Sequence, residues 1–396
     1  MTAGWLTGVR KLAVMMLLFT VAISLAGCWS KLELTERGFV MTAAIDLSRS
    51  GTIQLTSQVY KPGSGSAAPG EASKGSKFYI NIMTENQTVF GAVRDASNEL
   101  GRKLQLSHLS ALLIGERLAR TRDLGQILDF FVRDHEPRGD IPVIITKGTA
   151  RDFLNVQPMI ESTVGNQLRE VGRKSARYAG KSLVVTLTEL DIRAEDEWPA
   201  AVIPYYALQK DIRTIAAGSG LALVNFQDGK VSGYVPPPLT PYVIMLMDEY
   251  KGGVLNLPCD ANGGSAIGDS IEVISLTSRV KPVIQGGTFR IVANVQLNGS
   301  VSELNCKSVV TPAETAEFVA RTEAYLKKQL QTALLRLQQE RADVIGIGLS
   351  LYRSHYRLWR DWKADWPDRF ANADFDVNVE FKLQNTGIEI GQPTVK

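Results

Sequence analysis

Metal sites and nucleophile triads draw on histidine and cysteine, and this chain has three of each in 396 residues. His108, His135 and His355 lie far apart and none is four residues from another, so the paired-histidine spacing of helical zinc proteases is absent. No Gly-x-x-x-x-Gly-Lys-Ser/Thr phosphate loop occurs, and the Gly-Ser clusters around Ser64, Ser66, Ser219 and Ser265 all lack Gly-x-Ser-x-Gly spacing. Paired carboxylates can build a glycosidase site without a motif, but acidic and aromatic residues do not cluster in the loops. Arg138-Gly139-Asp140 matches an adhesion tripeptide too short to carry weight. The chain therefore reads as non-catalytic, with no metal and no cofactor.

One cysteine has a chemical role that its surroundings define. Arg10-Lys11 precede an apolar run from Leu12 to Leu25, and Leu25-Ala26-Gly27-Cys28 follows. Charged region, apolar region and small residues before a cut are the parts of a secretory signal. The run is short for a bilayer crossing, which takes about 20 apolar residues. The last four residues resemble the lipobox of bacterial lipoproteins, which implies cleavage between Gly27 and Cys28 and a diacylglycerol on the Cys28 thiol. Two acyl chains give stable attachment where one gives marginal binding.

Cleavage would leave 369 of the 396 residues and, with Arg10 and Lys11 gone, take the formal charge from +3 to +1. That balance offers no electrostatic footprint for nucleic acid. Hydrophobic residues make up 44% and charged ones 21%, which separates the chain from disordered sequences.

The elements that would position these residues read as α+β, in three units of mixed or antiparallel sheet with packed helices. The first, 28–196, opens with paired strands at 38–46 and 52–60, followed by a Gly/Ser/Pro loop at 61–77. Strands at 78–83, 104–115 and 141–146 then alternate with helices at 89–100 and 124–132. A small middle unit, 197–251, holds a hairpin around Asp228-Gly229, three prolines at 236–238 and a short buried helix at 242–247. The third, 252–396, begins with a three-strand meander at 252–258, 270–284 and 287–299. A helix over 312–340 follows, opened by the capping box Thr311-Pro312-Ala313-Glu314, and an alternating strand at 376–383 closes the unit.

Two features of the third unit admit two readings each. In the meander Cys259 ends the first strand and Cys306 follows the third, so both fall at one end of the sheet. They form a disulfide if the connection swings across, and remain two free thiols otherwise. Trp359, Trp362 and Trp366 share one helical face with Tyr356 and Phe370, interleaved with Arg357, Arg360 and Lys363. That stripe fits a partner or membrane surface; packing of the helix on its own sheet is the preferred alternative.

Several of these stretches together resemble the Ger(x)C family, the lipoprotein C subunits of spore germinant receptors. The likeness rests on Cys28-Trp29 with Glu33-Leu34, on Ala44-Ile45-Asp46, on 101–108 (GRKLQLSH) and on 130–138 (FFVRDHEPR). It continues through 343–348 (DVIGIG), Leu358-Trp359, Trp362 and Thr386-Gly387. The 61–77 loop and the Cys259 and Cys306 pair depart from the pattern. The resemblance implies three mixed α/β domains tethered to the outer face of the spore inner membrane. It also implies assembly with an A subunit and a transporter-like B subunit into a nutrient receptor, and no catalytic residue. A substrate-binding lipoprotein of a membrane transporter is the alternative.

Overall fold

The computed structural model describes residues 3–25, 33–61, 78–198, 200–210, 212–259 and 268–386. Gly27 and Cys28 lie outside them, as does most of the 61–77 loop. The first helix, α1 (Ala3–Leu25), exposes Arg10 through Thr20. Among the described residues no helix is long and apolar enough to cross a membrane.

From Arg37 onward the chain builds two sheets. The larger holds β1 (Arg37–Leu47), β2 (Ile53–Tyr60), β3 (Tyr79–Asn86), β4 (Lys103–Gln105), β5 (Ala111–Gly115), β6 (Val143–Thr146), β7 (Ala200–Lys210), β8 (Thr214–Asn225) and β9 (Lys230–Val235). Its order is β3-β2-β1-β5-β6-β7-β8-β9, with β4 beside the start of β1. The middle of this sheet, from β1 through β5 and β6 to β7, is parallel, and both ends are antiparallel.

Parallel strands need crossovers, and helices supply them here: α2 (Val89–Leu100), α3 (Glu116–Thr121), α4 (Leu124–Arg133), α5 (Ala150–Phe153), α6 (Val164–Lys174) and α7 (Leu187–Glu195). Because helices cover both faces, β5 and β6 are buried at every position and read as continuous apolar runs. Leu112, Ile114, Val143 and Ile145 face one core with Val93, Leu118, Leu128 and Phe131. Leu113 and Ile144 face the other, with Phe153, Val164 and Leu168.

After α8 (Thr240–Leu246), the second sheet follows in the order β10 (Gly253–Pro258), β11 (Gly268–Gln285), β12 (Thr288–Glu303) and β13 (Asp374–Asn385). The first two pairings are antiparallel and β13 joins β12 in parallel. Between β12 and β13 run α9 (Pro312–Gln339), α10 (Ile347–Ser354), α11 (Tyr356–Trp362) and α12 (Trp366–Ala371). The capping box opens α9: Thr311 Oγ1 accepts from Glu314 N at 3.2 Å, and Glu314 Oε2 accepts from Thr311 N at 2.7 Å. Its buried Leu326, Leu330, Leu334 and Leu337 recur on one face as the sequence pattern predicts.

The fold is mixed α+β, and it differs from the expected elements at three places. Residues 197–251, expected to carry a sheet of their own, supply β7–β9 to the large sheet. Tyr205 and Tyr206 pair in parallel with Ile145 and Thr146, so one ladder runs through the expected boundary. The expected strand 104–115 is two strands, because a turn with Leu109 N donating to Leu106 O interrupts it. Residues 150–195, left without elements by sequence pattern, form α5 to α7.

Candidate functional site

Among the described residues, several of the stretches that carried the family resemblance supply bracing points of the backbone, at Asp46, Glu136 and Asp343. Asp46, 4% exposed at the end of β1, accepts from Ala150 N at 2.7 Å through Oδ1 and from Arg151 N at 2.9 Å through Oδ2. It thereby caps α5 across the sheet. Burial pushes its carboxyl pKa up, opposed by those two backbone donors.

The stretches 101–108 and 130–138 meet through Glu136, whose Oε2 accepts from Leu106 N at 3.0 Å while Oε1 takes Lys103 Nζ at 3.3 Å. This ties the turn between β4 and β5 to the end of α4. His135 beside it points outward, with its side chain 92% exposed, and Asp134 Oδ1 accepts from Glu136 N. The histidines are not brought together: His108 packs edge-on to Phe39, and His355 is exposed at the start of α11. Among the described residues no three His, Cys, Asp or Glu side chains group so as to hold a metal ion.

Asp343 is the most buried of these carboxylates in its surroundings. Its Oδ1 accepts from Ile347 N at 3.0 Å, and its Oδ2 accepts from Gly348 N at 2.6 Å and from Trp366 Nε1 at 3.0 Å. Burial raises its pKa against the pull of those donors. Gly346, at φ +77°, turns the chain into α10 with a left-handed conformation that favours glycine. At Gly348 a Cβ would sit 2.9 Å from both the Trp359 ring and Trp366 Nε1, so only hydrogen fits beneath the indoles.

Those indoles decide between the two readings of the stripe, for the preferred packing inside the protein and against a partner or membrane surface. Trp359, Trp362 and Trp366, offered as a partner or membrane surface, are 0%, 6% and 0% exposed. They form an aromatic cluster in which Phe289 stacks on Trp366 at 5.1 Å and Trp198, from the other sheet's region, packs edge-on to Trp359 at 6.1 Å. Glu197 Oε1 takes Lys363 Nζ at 2.7 Å and Trp359 Nε1 at 3.4 Å, and its pKa is lowered chiefly by that lysine. An amphipathic stripe looks the same from sequence whether its apolar side meets solvent partners or the protein's own core. Trp198, fixed by no local pattern, is what the sequence could not supply.

Cys259 and Cys306 come together, with Sγ atoms 2.09 Å and Cα atoms 5.2 Å apart. One strand separates β10 from β12, so the connection after β12 must cross it. Asp269, fully buried on β11, draws it over: Oδ1 accepts from Asn305 N at 2.7 Å and Cys306 N at 3.0 Å, while Oδ2 meets Arg321 of α9.

Two larger open grooves are found among the described residues. One, of about 560 Å³, lies between α2 and α4 and mixes Phe90 and Phe130 with Arg122, Asp123, Asp129 and Arg133. The other, of about 650 Å³, runs beside α6 between Asp140, Arg173 and Lys251.

Fold and site define a two-sheet α+β protein in which buried carboxylates, Asp46, Asp269 and Asp343, hold backbone in place. Its sequence matches the profile of the spore germination protein N-terminal domain over residues 30–208, and that of the GerAC-like C-terminal domain over 219–387. The chain belongs to this GerAC-like family of spore germination proteins.

Among its relatives in Bacillus subtilis (strain 168), spore germination protein B3 is 23% identical over 93% of this chain and 96% of its own. Spore germination protein KC is 21% identical over 96% and 97%, and spore germination protein A3 is 24% identical over 93% and 96%. The crystal structure of the GerBC protein matches the fold with a TM-score of 0.57 at 21% identity, covering 87% of this chain and 97% of that one. These relatives set the chain among germination proteins and not among the substrate-binding lipoproteins of transporters.

Proposed function

We propose that this chain is the non-catalytic C subunit of a nutrient germinant receptor, working beside an A subunit and a transporter-like B subunit on the outer face of the spore inner membrane. The observation that carries the reading is the end-to-end likeness to spore germination proteins, both family domains in order across 30–208 and 219–387. Asp46, Glu136 and Asp343, in the stretches that resemble that family, serve to hold backbone in place, which suits a scaffold that binds co-subunits. Cys28 is the lipid attachment point after cleavage at Gly27. A location outside the cytoplasm is also one in which the Cys259–Cys306 bond persists.

Deletion from a spore former tests this. Spores should lose their response to one nutrient class while other triggers still work, and Cys28→Ala should release the protein from the membrane fraction and reproduce the defect. An unchanged response, in a strain without a redundant copy, would reject the assignment.

A further inference from the structure

The groove beside α6 is lined by Asp140, Arg169, Arg173, Arg177, Glu249 and Lys251 with apolar neighbours. Its arginines recur at every fourth residue, so one side of the helix and its continuation carries them all. The Nε of Arg169 is buried without a hydrogen-bond partner among the described residues, and Arg173 reaches Glu170 at 3.5 Å. Next to the groove the Tyr178 ring is 60% exposed, with the Arg177 guanidinium 5.4 Å and the Lys174 ammonium 5.7 Å from its centre. Residues 164–181 hold five cations against the single carboxylate of Glu170, in a chain that is otherwise near neutral. The positive charge is therefore local.

Strand direction places this patch. β1, β5 and β6 run parallel, and Asp140 and Pro142 of the groove lead into β6. Through β5 the start of β6 at Val143 lies level with Ala43, six residues along β1 from Arg37, so the groove sits on the side of the sheet from which β1 enters. Cys28 precedes Arg37, the first residue of β1, by nine positions, a reach of at most about 30 Å when fully extended. A lipid on Cys28 would hold this end of the sheet against the bilayer.

We propose that the α6 groove is a membrane-facing site at which Arg169, Arg173 and Arg177, aided by Lys174 and Lys251, bind the phosphates of anionic phospholipids. Guanidinium forks match phosphate oxygens, and a tyrosine ring flanked by cations suits the headgroup layer. The lipid anchor supplies attachment and the groove supplies orientation, fixing which face the body turns to its membrane partners. The inference rests on the lipid-anchor reading above.

The test uses the mature chain from residue 28 with Cys28→Ala, so that neither lipid nor signal helix contributes. It is floated with phosphatidylcholine vesicles with and without phosphatidylglycerol. Binding is expected only with phosphatidylglycerol and should fall as salt is raised. Each charge removed should weaken partitioning about fivefold, so the triple variant Arg169→Gln/Arg173→Gln/Arg177→Gln should lose on the order of 100-fold. Lys174→Gln/Lys251→Gln, at two exposed positions, gives a milder loss that does not depend on the buried part of Arg169. Arg353→Gln/Arg357→Gln/Arg360→Gln removes the same charge from exposed positions on α10 and α11 and should leave binding intact.

The proposal falls if wild type ignores anionic vesicles, or if the α10–α11 variant loses as much as the α6 variant. It falls equally if inorganic phosphate or poly-glutamate, and not vesicles, binds in a manner sensitive to the α6 arginines. Those failures leave the germination role standing, since the deletion phenotype reads it separately, and a failed anchor shows instead as full-length protein released from membranes.

Discussion

Asp343 gathers three donors inside the core: two backbone N–H groups at the start of α10 and the Trp366 indole. Removing the carboxylate would strand all three in a dry interior, and each orphaned donor costs about 1–3 kcal/mol. Asp343→Ala is expected to lower the unfolding free energy by roughly 3–5 kcal/mol and Asp343→Asn by about 1–2 kcal/mol, since asparagine keeps one oxygen. Urea titration reads both, and equal losses for the two variants would show that the one oxygen asparagine keeps satisfies none of these donors. The DVIGIG motif was visible as a string of letters. Its purpose was not, because the partner Trp366 lies more than twenty residues on and no local spacing announces that a carboxylate is buried.

At the scale of elements, what was legible depended on whether the signal is local. The capping box of α9, the β8–β9 hairpin at Asp228-Gly229 and the alternation of β13 all sit within a few residues of the chain, and each element forms where those residues indicate. The short helix α5 does not show this, since it is held by Asp46 from β1, a hundred residues away, whereas α7 opens on a second local capping box, Thr186 with Glu189, which apolar periodicity alone passes over. The capping box of α9 also has a titration that can be followed. Ser308 and the Thr311 and Val310 backbone donors hold the Glu314 pKa down from 4.5 to about 2. A depressed carboxyl stabilises the fold above its unfolded pKa, and that contribution fades as pH falls through the folded value. Wild type should therefore exceed Glu314→Gln in thermal midpoint at neutral pH. The gap should begin to close below about pH 4.5 and be gone near pH 2, so a gap constant across that range would remove the carboxylate from the account.

At the scale of the molecule, the sequence suggested three units, while the residues that pack across the two sheets argue for a single cooperative body. The border between the two family domains, 208 to 219, falls inside the β7–β8 pairing of the large sheet. A chain of residues 33–208 would lack Leu221, Leu223 and Val224 of the main core, and would lose the bond from Leu124 N to Gly229 O that starts α4. Residues 219–386 would keep the Arg336 contacts to Tyr234 O but strip Trp198 from the aromatic cluster. Neither fragment is expected to unfold cooperatively, whereas residues 33–386 should do so in one transition. All four tryptophans in that span, Trp198, Trp359, Trp362 and Trp366, lie in the cluster between the sheets, so their fluorescence reports that junction alone. Fluorescence and far-ultraviolet circular dichroism should then trace coincident curves in denaturant. Separated midpoints, or a cooperative transition in either fragment, would mean that the sheets fold as independent units and that the bond network around Glu197 and Trp198 joins finished parts.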